Sequence, residues 1–288
     1  MQPTESRVRL STAEAWFVTG SSTGLGRALV EVLLEKGYRV AATARKPDVL
    51  NDLKKKYGDQ LLCPALDVTN PEQVRIAIQQ TLDHFGRIDV CVNNAGYGLI
   101  GAVEEVTDAE IRRQFDTNFF GALDVTRALL PHFRKQRSGH FLNISSIGGF
   151  RAIAGAAIYN ATKFALEALS EALAKEVAPL GIRVVLVEPG PFRTDFGGRS
   201  IDDTPNHIPE YASTAGKMRE YYQAAHGKQV GDPHKAAEAM IQAVESKADF
   251  LRLPLGEATL LGMREKIEQV QKDLSLWEKV AKDTAFTA

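Results

Sequence analysis

Tyr159 and Lys163 stand four residues apart in the stretch YNATKFAL, at the head of an otherwise small and apolar segment. On a helix, residues i and i+4 lie on one face with Cβ atoms about 5–6 Å apart, which places the Lys163 ammonium near the Tyr159 phenol. A neighbouring cation favours phenolate and lowers a tyrosine pKa from its reference of about 10. Such a pair can take and give a proton. Taken alone, it is more often a helix-start tyrosine beside a solvated lysine, and the rest of the chain has to decide. Two further stretches carry candidate chemistry. NISSIGG offers the hydroxyls of Ser145 and Ser146, and TGSSTGLG (19–26) is a glycine-rich turn near the start of the chain.

These residues need elements to position them. The first 190 residues alternate short apolar runs with longer helical patterns, the sequence form of βαβ units and a parallel sheet. Strands are expected at AWFVTG (15–20), YRVAATA (38–44), QLLCPAL (60–66), IDVCVNN (88–94), GHFLNIS (139–145) and IRVVLVE (182–188). Their nearly continuous hydrophobicity fits strands covered on both faces. Between the first two, GRALVEVLLEKG has apolar residues at 29, 30, 33 and 34 and stops at Gly37, a suitable C′ residue. Pro71 opens another helix behind Thr69 or Asn70 as cap. Thr107 and Glu110 in TDAE have the spacing of a capping box. The expected fold class is α/β: one Rossmann-type, doubly wound parallel sheet with helices on both faces. After residue 190 the pattern changes. The stretch 191–231 is rich in Gly, Pro, Ser, Thr and His, with a short helix around YASTAGKMREYYQAA, and reads as a binding loop or lid. A helix over DPHKAAEAMIQAVES, the run FLRLPL and a charged amphipathic helix over 257–282 complete the chain.

Bulk properties narrow the class. The 288 residues carry 35 basic and 36 acidic side chains and are 44% hydrophobic, ordinary for a soluble globular chain and without the charge of a nucleic-acid or membrane surface. No apolar run reaches membrane-spanning length, and the opening MQPTESRVRLSTAE is polar, with no signal-peptide core. A cytoplasmic protein is expected, with no internal repeat and no low-complexity linker. Cys63 and Cys91 sit in strand-like runs and read as buried free thiols. The six histidines show no zinc-ligand spacing, so no metal site is expected.

The glycine-rich turn follows the first strand and opens the first helix, the position in which a backbone can approach a pyrophosphate and a helix N-terminus can hold it. Its G-xxx-G-x-G spacing resembles the TGxxxGxG of the short-chain dehydrogenases/reductases. NNAG (93–96) ends the fourth strand, Asn118 follows in FDTNFFG, ISS precedes the tyrosine, YxxxK follows it, and PGPFRT (189–194) ends the sixth strand. The resemblance covers roughly residues 14–195, with each motif present in order. From SIGG through YNATKFALEALSEALA to EPGPFRTDF the chain looks most like the branch containing 17β-hydroxysteroid and retinol dehydrogenases.

The resemblance implies a nucleotide-binding half over about 14–95, a catalytic half over about 96–195, and a substrate lid with C-terminal helices over about 196–288, all within one domain. It places Gly20, Ser22, Thr23, Gly24, Leu25 and Gly26 of the turn, Asp67 and Val68 closing the third strand, and Asn94, Ala95 and Gly96 at the cofactor. Asp67 would serve the adenine side; it also reads as a plain turn aspartate. Thr194 and the backbone near Phe192 would meet the nicotinamide carboxamide, while Pro189 and Gly190 would turn the chain away from the sheet. An NAD enzyme commonly has an acidic residue after the second strand to bind the ribose 2′-hydroxyl. AATARKP has none; Arg45 stands where a guanidinium could fork onto a 2′-phosphate. NADP(H) is therefore favoured, with NAD(H) possible.

In the catalytic half, Tyr159 is the expected acid/base group. Lys163 would tune it and reach the nicotinamide ribose. Alternation along a strand lets only one of the two serines face the site, and the family's serine-to-tyrosine separation selects Ser146. Asn118 matches the family's helix-kinking asparagine, which holds a water on the proton path. Tyr97, Phe150, Phe192 and Phe196 flank these motifs and suggest an apolar carbonyl or alcohol substrate, though some of them could be core. The activity implied is carbonyl reduction or the reverse oxidation of a secondary alcohol, by a homodimer or homotetramer acting on a small molecule. A dinucleotide-sensing regulator without chemistry is the alternative, but relatives of that kind tend to lose the Tyr–Lys pair. Sugar-nucleotide epimerases generally carry TGxxGxxG instead.

Overall fold

Successive residues of the first strand, β1 (Ala15–Val18), face opposite sides of the sheet, and each side is buried: Trp16 and Val18 enter one apolar cluster, Ala15 and Phe17 the other. The same alternation sends Leu142 one way and Phe141 the other, and Val185 and Val187 opposite Val184. This is why these strands read as unbroken apolar runs rather than as alternating ones. The computed structural model describes residues 14–286; residues 1–13, most of the polar opening stretch read for a signal peptide, and residues 287–288 lie outside them.

After β1 come α1 (Gly24–Glu35), β2 (Arg39–Ala42), α2 (Asn51–Tyr57), β3 (Leu61–Leu62), α3 (Pro71–Phe85), β4 (Val90–Asn93), β5 (Gly98–Ile100), α4 (Asp108–Phe115) and α5 (Gly121–Gln136). The second half holds β6 (Gly139–Ile144), α6 (Ala157–Val177), β7 (Ile182–Pro189), β8 (Ile201–Asp203), α7 (Lys217–Ala225), α8 (Pro233–Glu245), β9 (Arg252–Leu255) and α9 (Glu257–Lys282). Seven strands form one sheet in the order β3-β2-β1-β4-β6-β7-β9, every neighbouring pair parallel. Helices α1 and α8 cover one face through Leu29, Leu33, Met240 and Ile241; α3, α5 and α6 cover the other through Ile78, Leu129, Phe133 and Leu173. This is the doubly wound Rossmann-type fold expected from the sequence, in a single domain.

The local signals for helix ends act as expected. Asn70, not Thr69, caps α3, accepting from the N–H groups of Glu72 and Gln73, with Pro71 in the first turn. Thr107 and Glu110 form a reciprocal capping box on α4. Gly37 has φ +87° just past α1, a conformation that costs glycine little.

Three boundaries differ from expectation. The third strand is only Leu61–Leu62, because Pro64 has no N–H for a ladder; one bridge, Ala44 to Ala65, continues the pairing. FLRLPL supplies a seventh strand, β9, and Pro189 remains in β7 opposite Leu255, with the Gly190 N–H donating to the Leu255 carbonyl. The chain therefore leaves the sheet only after Gly190.

The stretch after residue 190 is built into the fold. β8 pairs in parallel with β5, and Arg219 of α7 donates to the fully buried Glu105 (2.6 Å) and to Asp203 (2.7 Å). Burial by itself would raise the Glu105 carboxyl, but Arg219 and the N–H groups of Ala102 and Ile208 bring it down to about 2. This segment is a clasped flap over the ends of β4 and β6.

Candidate active site

The strands being parallel, the C-terminal ends of β1, β4, β6 and β7 lie along one edge, where ligands bind in open α/β sheets. At the end of β1 the chain turns through Gly20, with φ +66°. A Cβ on Gly20 would lie 2.8 Å from the Ala95 Cα, and one on Gly26 would lie 2.4 Å from the Asn94 Nδ2. Asn94 holds this turn: its Nδ2 donates to the carbonyls of Thr19 and Gly20, both at 2.9 Å, while the Thr19 hydroxyl accepts from the N–H groups of Asn94 and Ala95. The first and fourth strand ends are thereby locked together.

Helix α1 starts without a capping side chain and without an acidic residue in its first turn. Side chains cap α3, α4 and α8 (Asn70, Thr107 and Asp232), whereas α2, α5, α6, α7 and α9, like α1, have no such cap. The first N–H groups of α1 are therefore left for another partner. They adjoin a cleft lined by Ser22, Thr23, Gly24, Arg27, Arg193 and Thr194. Free N–H groups and a helix dipole suit an anionic diphosphate; the Arg27 guanidinium beside them is already paired with Glu31 and Asp52. The residues present thus fit a dinucleotide cofactor.

The catalytic candidates meet one strand further along. Tyr159 is buried near the start of α6, close enough to Ser146 for that hydroxyl to lower the pKa of its phenol, with the Phe196 ring 5.8 Å away. Ser146 lies just past β6, and its hydroxyl accepts from the Gly148 N–H at 3.0 Å. Ser145 turns the other way, toward Glu167. Lys163 is buried one turn along α6, its ammonium 5.9 Å from the Tyr159 ring and donating to the Ile144 carbonyl at 2.8 Å. Asn118 occupies a π-helical turn, Asp116–Phe120, between α4 and α5. Its Oδ1 accepts from the Tyr97 N–H, and its Nδ2 donates to the Tyr97 carbonyl and to Thr162 on α6. A π-turn is how a helix re-aims one side chain at a site.

Burial holds the Tyr159 phenol above its ordinary value, and Ser146 offsets this in part. The Lys163 charge is directed at the Ile144 carbonyl, and burial brings the ammonium itself down to about 8 while Glu167 pulls the other way. A buried cluster stands behind it: Arg252 of β9 pairs with Glu167, Glu171 and Glu188. Burial, together with the Glu167 charge, pushes Glu188 up to about 7.

The remaining sequence candidates fall into three groups. Gly24 lies beside Thr194, which joins the glycine-rich turn to the end of β7 and whose hydroxyl accepts from the Phe196 N–H. Gly96 packs against Asn118 and Lys163. Arg45 is exposed after β2. A second group is engaged structurally: Leu25 packs on the core, Val68 against Gly121, Gly190 against Thr259, and Asp67 accepts from the Thr69 N–H and hydroxyl in a local turn. The flanking aromatics divide. Phe196 and Tyr97 are at the site, whereas Phe192 packs on the core and Phe150 lies under Arg252. Both cysteines are free, but only Cys91 is fully buried; Cys63 is half-buried. Sequence reasoning missed Tyr222 of α7, near enough to Tyr159 for its charge to raise that phenol, and the Glu167–Glu188–Arg252 cluster. The doublet Tyr221–Tyr222 was visible, but nothing in it tells which ring turns inward.

Residues 14–204 match the family model described as short chain dehydrogenase. An oxidoreductase of Botryotinia fuckeliana, BOA17, is 40% identical over 84% of this chain and 88% of its own. A 3-ketodihydrosphingosine reductase of Bacteroides thetaiotaomicron is 42% identical over 69% and 71%. The crystal structure of a short-chain dehydrogenase from Streptomyces avermitilis superposes with a TM-score of 0.89 at 42% identity, over 94% of this chain and 100% of that one. A 3-ketoacyl-(acyl-carrier-protein) reductase from Brucella melitensis, complexed with NADH, aligns at 27% identity and a TM-score of 0.70, over 84% and 96%. The chain belongs to the short-chain dehydrogenase family, and with it to the NAD(P)-dependent oxidoreductases that act on CH–OH groups. Among the described residues no helix is long and apolar enough to cross a membrane.

Proposed function

We propose that this protein is an NADP(H)-dependent reductase of an apolar ketone or aldehyde, able to run in reverse on the corresponding alcohol. The observation that carries the reading is the meeting of Tyr159, Ser146, Lys163 and Asn118 at one edge of the sheet, beside the uncapped start of α1. A bound nicotinamide dinucleotide would supply the hydride. Ser146 holds the substrate oxygen, and Tyr159 gives that oxygen its proton as negative charge grows there. Lys163 would bind the ribose side of the cofactor, and Asn118 would hold a water that relays protons to Lys163. Phe196 stands beside Tyr159 and Tyr97 beside Asn118, aromatic neighbours that suit the branch of the family that acts on hydrophobic carbonyls. The relative that reduces 3-ketodihydrosphingosine supports a ketone of that kind.

In this reading the nucleotide half ends near residue 95, the catalytic half near 195, and the flap and last helices choose the substrate. Cytoplasmic localisation accords with NADPH-driven reduction. Phe120, in the π-turn, and Phe164, on α6, are exposed and form one surface through which subunits would pair.

Fluorescence titration of NADPH and NADH against wild type and Arg45→Ala tests the cofactor. A phosphate hydrogen bond to a charged group is worth about 1.5–3 kcal/mol, so Arg45→Ala should weaken NADPH roughly 10- to 100-fold and leave NADH unchanged. Equal NADH and NADPH affinity in wild type would remove the NADP(H) assignment. Failure to bind either would remove the reductase.

A further inference from the structure

Helix α9 leaves the body of the molecule. Its first turns pack on the domain, with Thr259, Gly262 and Met263 buried and Arg151 paired to Glu265. From Ile267 to Lys282 every residue is exposed. At 1.5 Å per residue that overhang is about 24 Å long, and an isolated helix of such a length is only marginally stable in water. Most of its exposed apolar side chains form one stripe; Val280 flanks that stripe and Leu276 lies on another face. Ile267, Val270, Leu274 and Trp277, followed by Ala281, step by three and four, which is the a/d spacing of a coiled-coil seam. Leu274 and Trp277 are 66% and 60% exposed.

We propose that this seam is occupied by helix α9 of a second copy of the chain, in an antiparallel two-stranded coiled coil. A two-fold axis through the middle of the overhang sets Ile267 against Trp277 of the partner subunit and Val270 against Leu274 of the partner subunit, each layer made twice. All four positions are exposed in the single chain, so no layer competes with the domain.

The flanking charges choose the orientation. In the antiparallel pair Arg264 faces Glu278 of the partner subunit on both sides of the axis. The own-chain partner of Glu278, Lys282, forms only an exposed pair, which holds it weakly. One like-charge contact, Asp273 with Asp273 of the partner subunit, lies at the axis. A parallel pair has no opposite-charge contact; it sets Lys266 beside Gln271 and Asp273 beside Glu278 of the partner subunit, twice. A lipid surface fits less well: α9 carries five acidic and five basic residues, giving no attraction to anionic headgroups.

The test is the mass of the full chain by sedimentation equilibrium between about 0.1 and 100 μM, with Leu274→Glu/Trp277→Glu beside wild type. These positions lie outside the core, so the thermal midpoint of the domain should hold while the mass falls by half. An unchanged mass overturns the proposal. Glu278→Arg should weaken the step at least tenfold, and adding Arg264→Glu should restore it; no restoration overturns the antiparallel register and with it the proposal. Asp273→Asn should tighten association several-fold. If wild type and the double variant have the same mass, while only wild type floats with phosphatidylcholine–phosphatidylserine vesicles, the stripe is a lipid-binding face and the proposal fails. None of these outcomes depends on the enzymatic reading.

Discussion

At the scale of single residues, Tyr159 is the group on which turnover should depend most. It is buried and raised above the ordinary tyrosine value, with Ser146 near enough to offset this in part, so in this setting it is a proton donor. Replacing it with phenylalanine keeps the ring packed on Phe196 and removes only the hydroxyl. NADPH affinity should stay within about twofold, while turnover in a carbonyl screen should fall roughly 10²–10⁴-fold, the usual worth of a positioned acid. Glu188 gives a second prediction, read in stability. Burial and the Glu167 charge raise its pKa to about 7, although Arg252 opposes them. The folded chain then keeps a proton that the unfolded chain releases above about pH 4.5, so stability should decline as pH rises from about 4.5 to 7. Glu188→Gln should flatten that slope in urea melts taken at several pH values. Part of it should persist, because Glu14 is also pushed up to about 7, by burial and by Asp89.

At the scale of elements, the flap is tied down by the β5–β8 pairing, by exposed contacts such as Arg113–Asp202 and Tyr211–Glu104, and by one buried ion-pair cluster. Arg219 joins α7 to Glu105 and to Asp203 at the end of β8, and Glu105 also accepts from the Ala102 and Ile208 N–H groups. Arg219→Met would leave a buried carboxylate without its cation, a change that typically costs about 3–5 kcal/mol. Proteolysis within 196–226 should therefore accelerate in the variant, and because α7 carries Tyr222, the Michaelis constant for an apolar carbonyl should rise. The β5–β8 pairing itself shows why this segment was hard to read. Its strands are three residues each and its decisive contacts join residues about a hundred positions apart, whereas the Asn70 cap and the Thr107–Glu110 box act within three residues.

At the scale of the whole molecule, both faces of the sheet are cores. Phe141 and Leu142 are neighbours in β6 that point into opposite clusters. Phe141→Ala and Leu142→Ala should each destabilise the chain, by about 3–5 and 2–5 kcal/mol respectively, measured by denaturant unfolding. A sheet covered on one face only would leave one of the two nearly neutral. The same two-sided burial gathers all functional strand ends at a single edge, since parallel strands with helical crossovers all run the same way.

What the sequence by itself determined are the features that repeat or act locally: strand periodicity, helix caps, the glycine-rich turn, and the YxxxK pair whose helical spacing places both side chains on one face. The choice of Ser146 over Ser145 was within reach too, since alternation allows only one of them to face Tyr159 and the serine-to-tyrosine separation of the family it resembles picks Ser146. Only tertiary structure decided the proton energetics. Lys163 turns to the Ile144 carbonyl, and burial outweighs any help it gives the phenol, because desolvation depends on everything packed around a group and not on its sequence neighbours. Tertiary structure also brought Tyr222 to Tyr159 and Arg252 to Glu167 and Glu188. Those partners are joined by chain folding over sixty residues or more, a distance across which no local pattern constrains which side chain meets which.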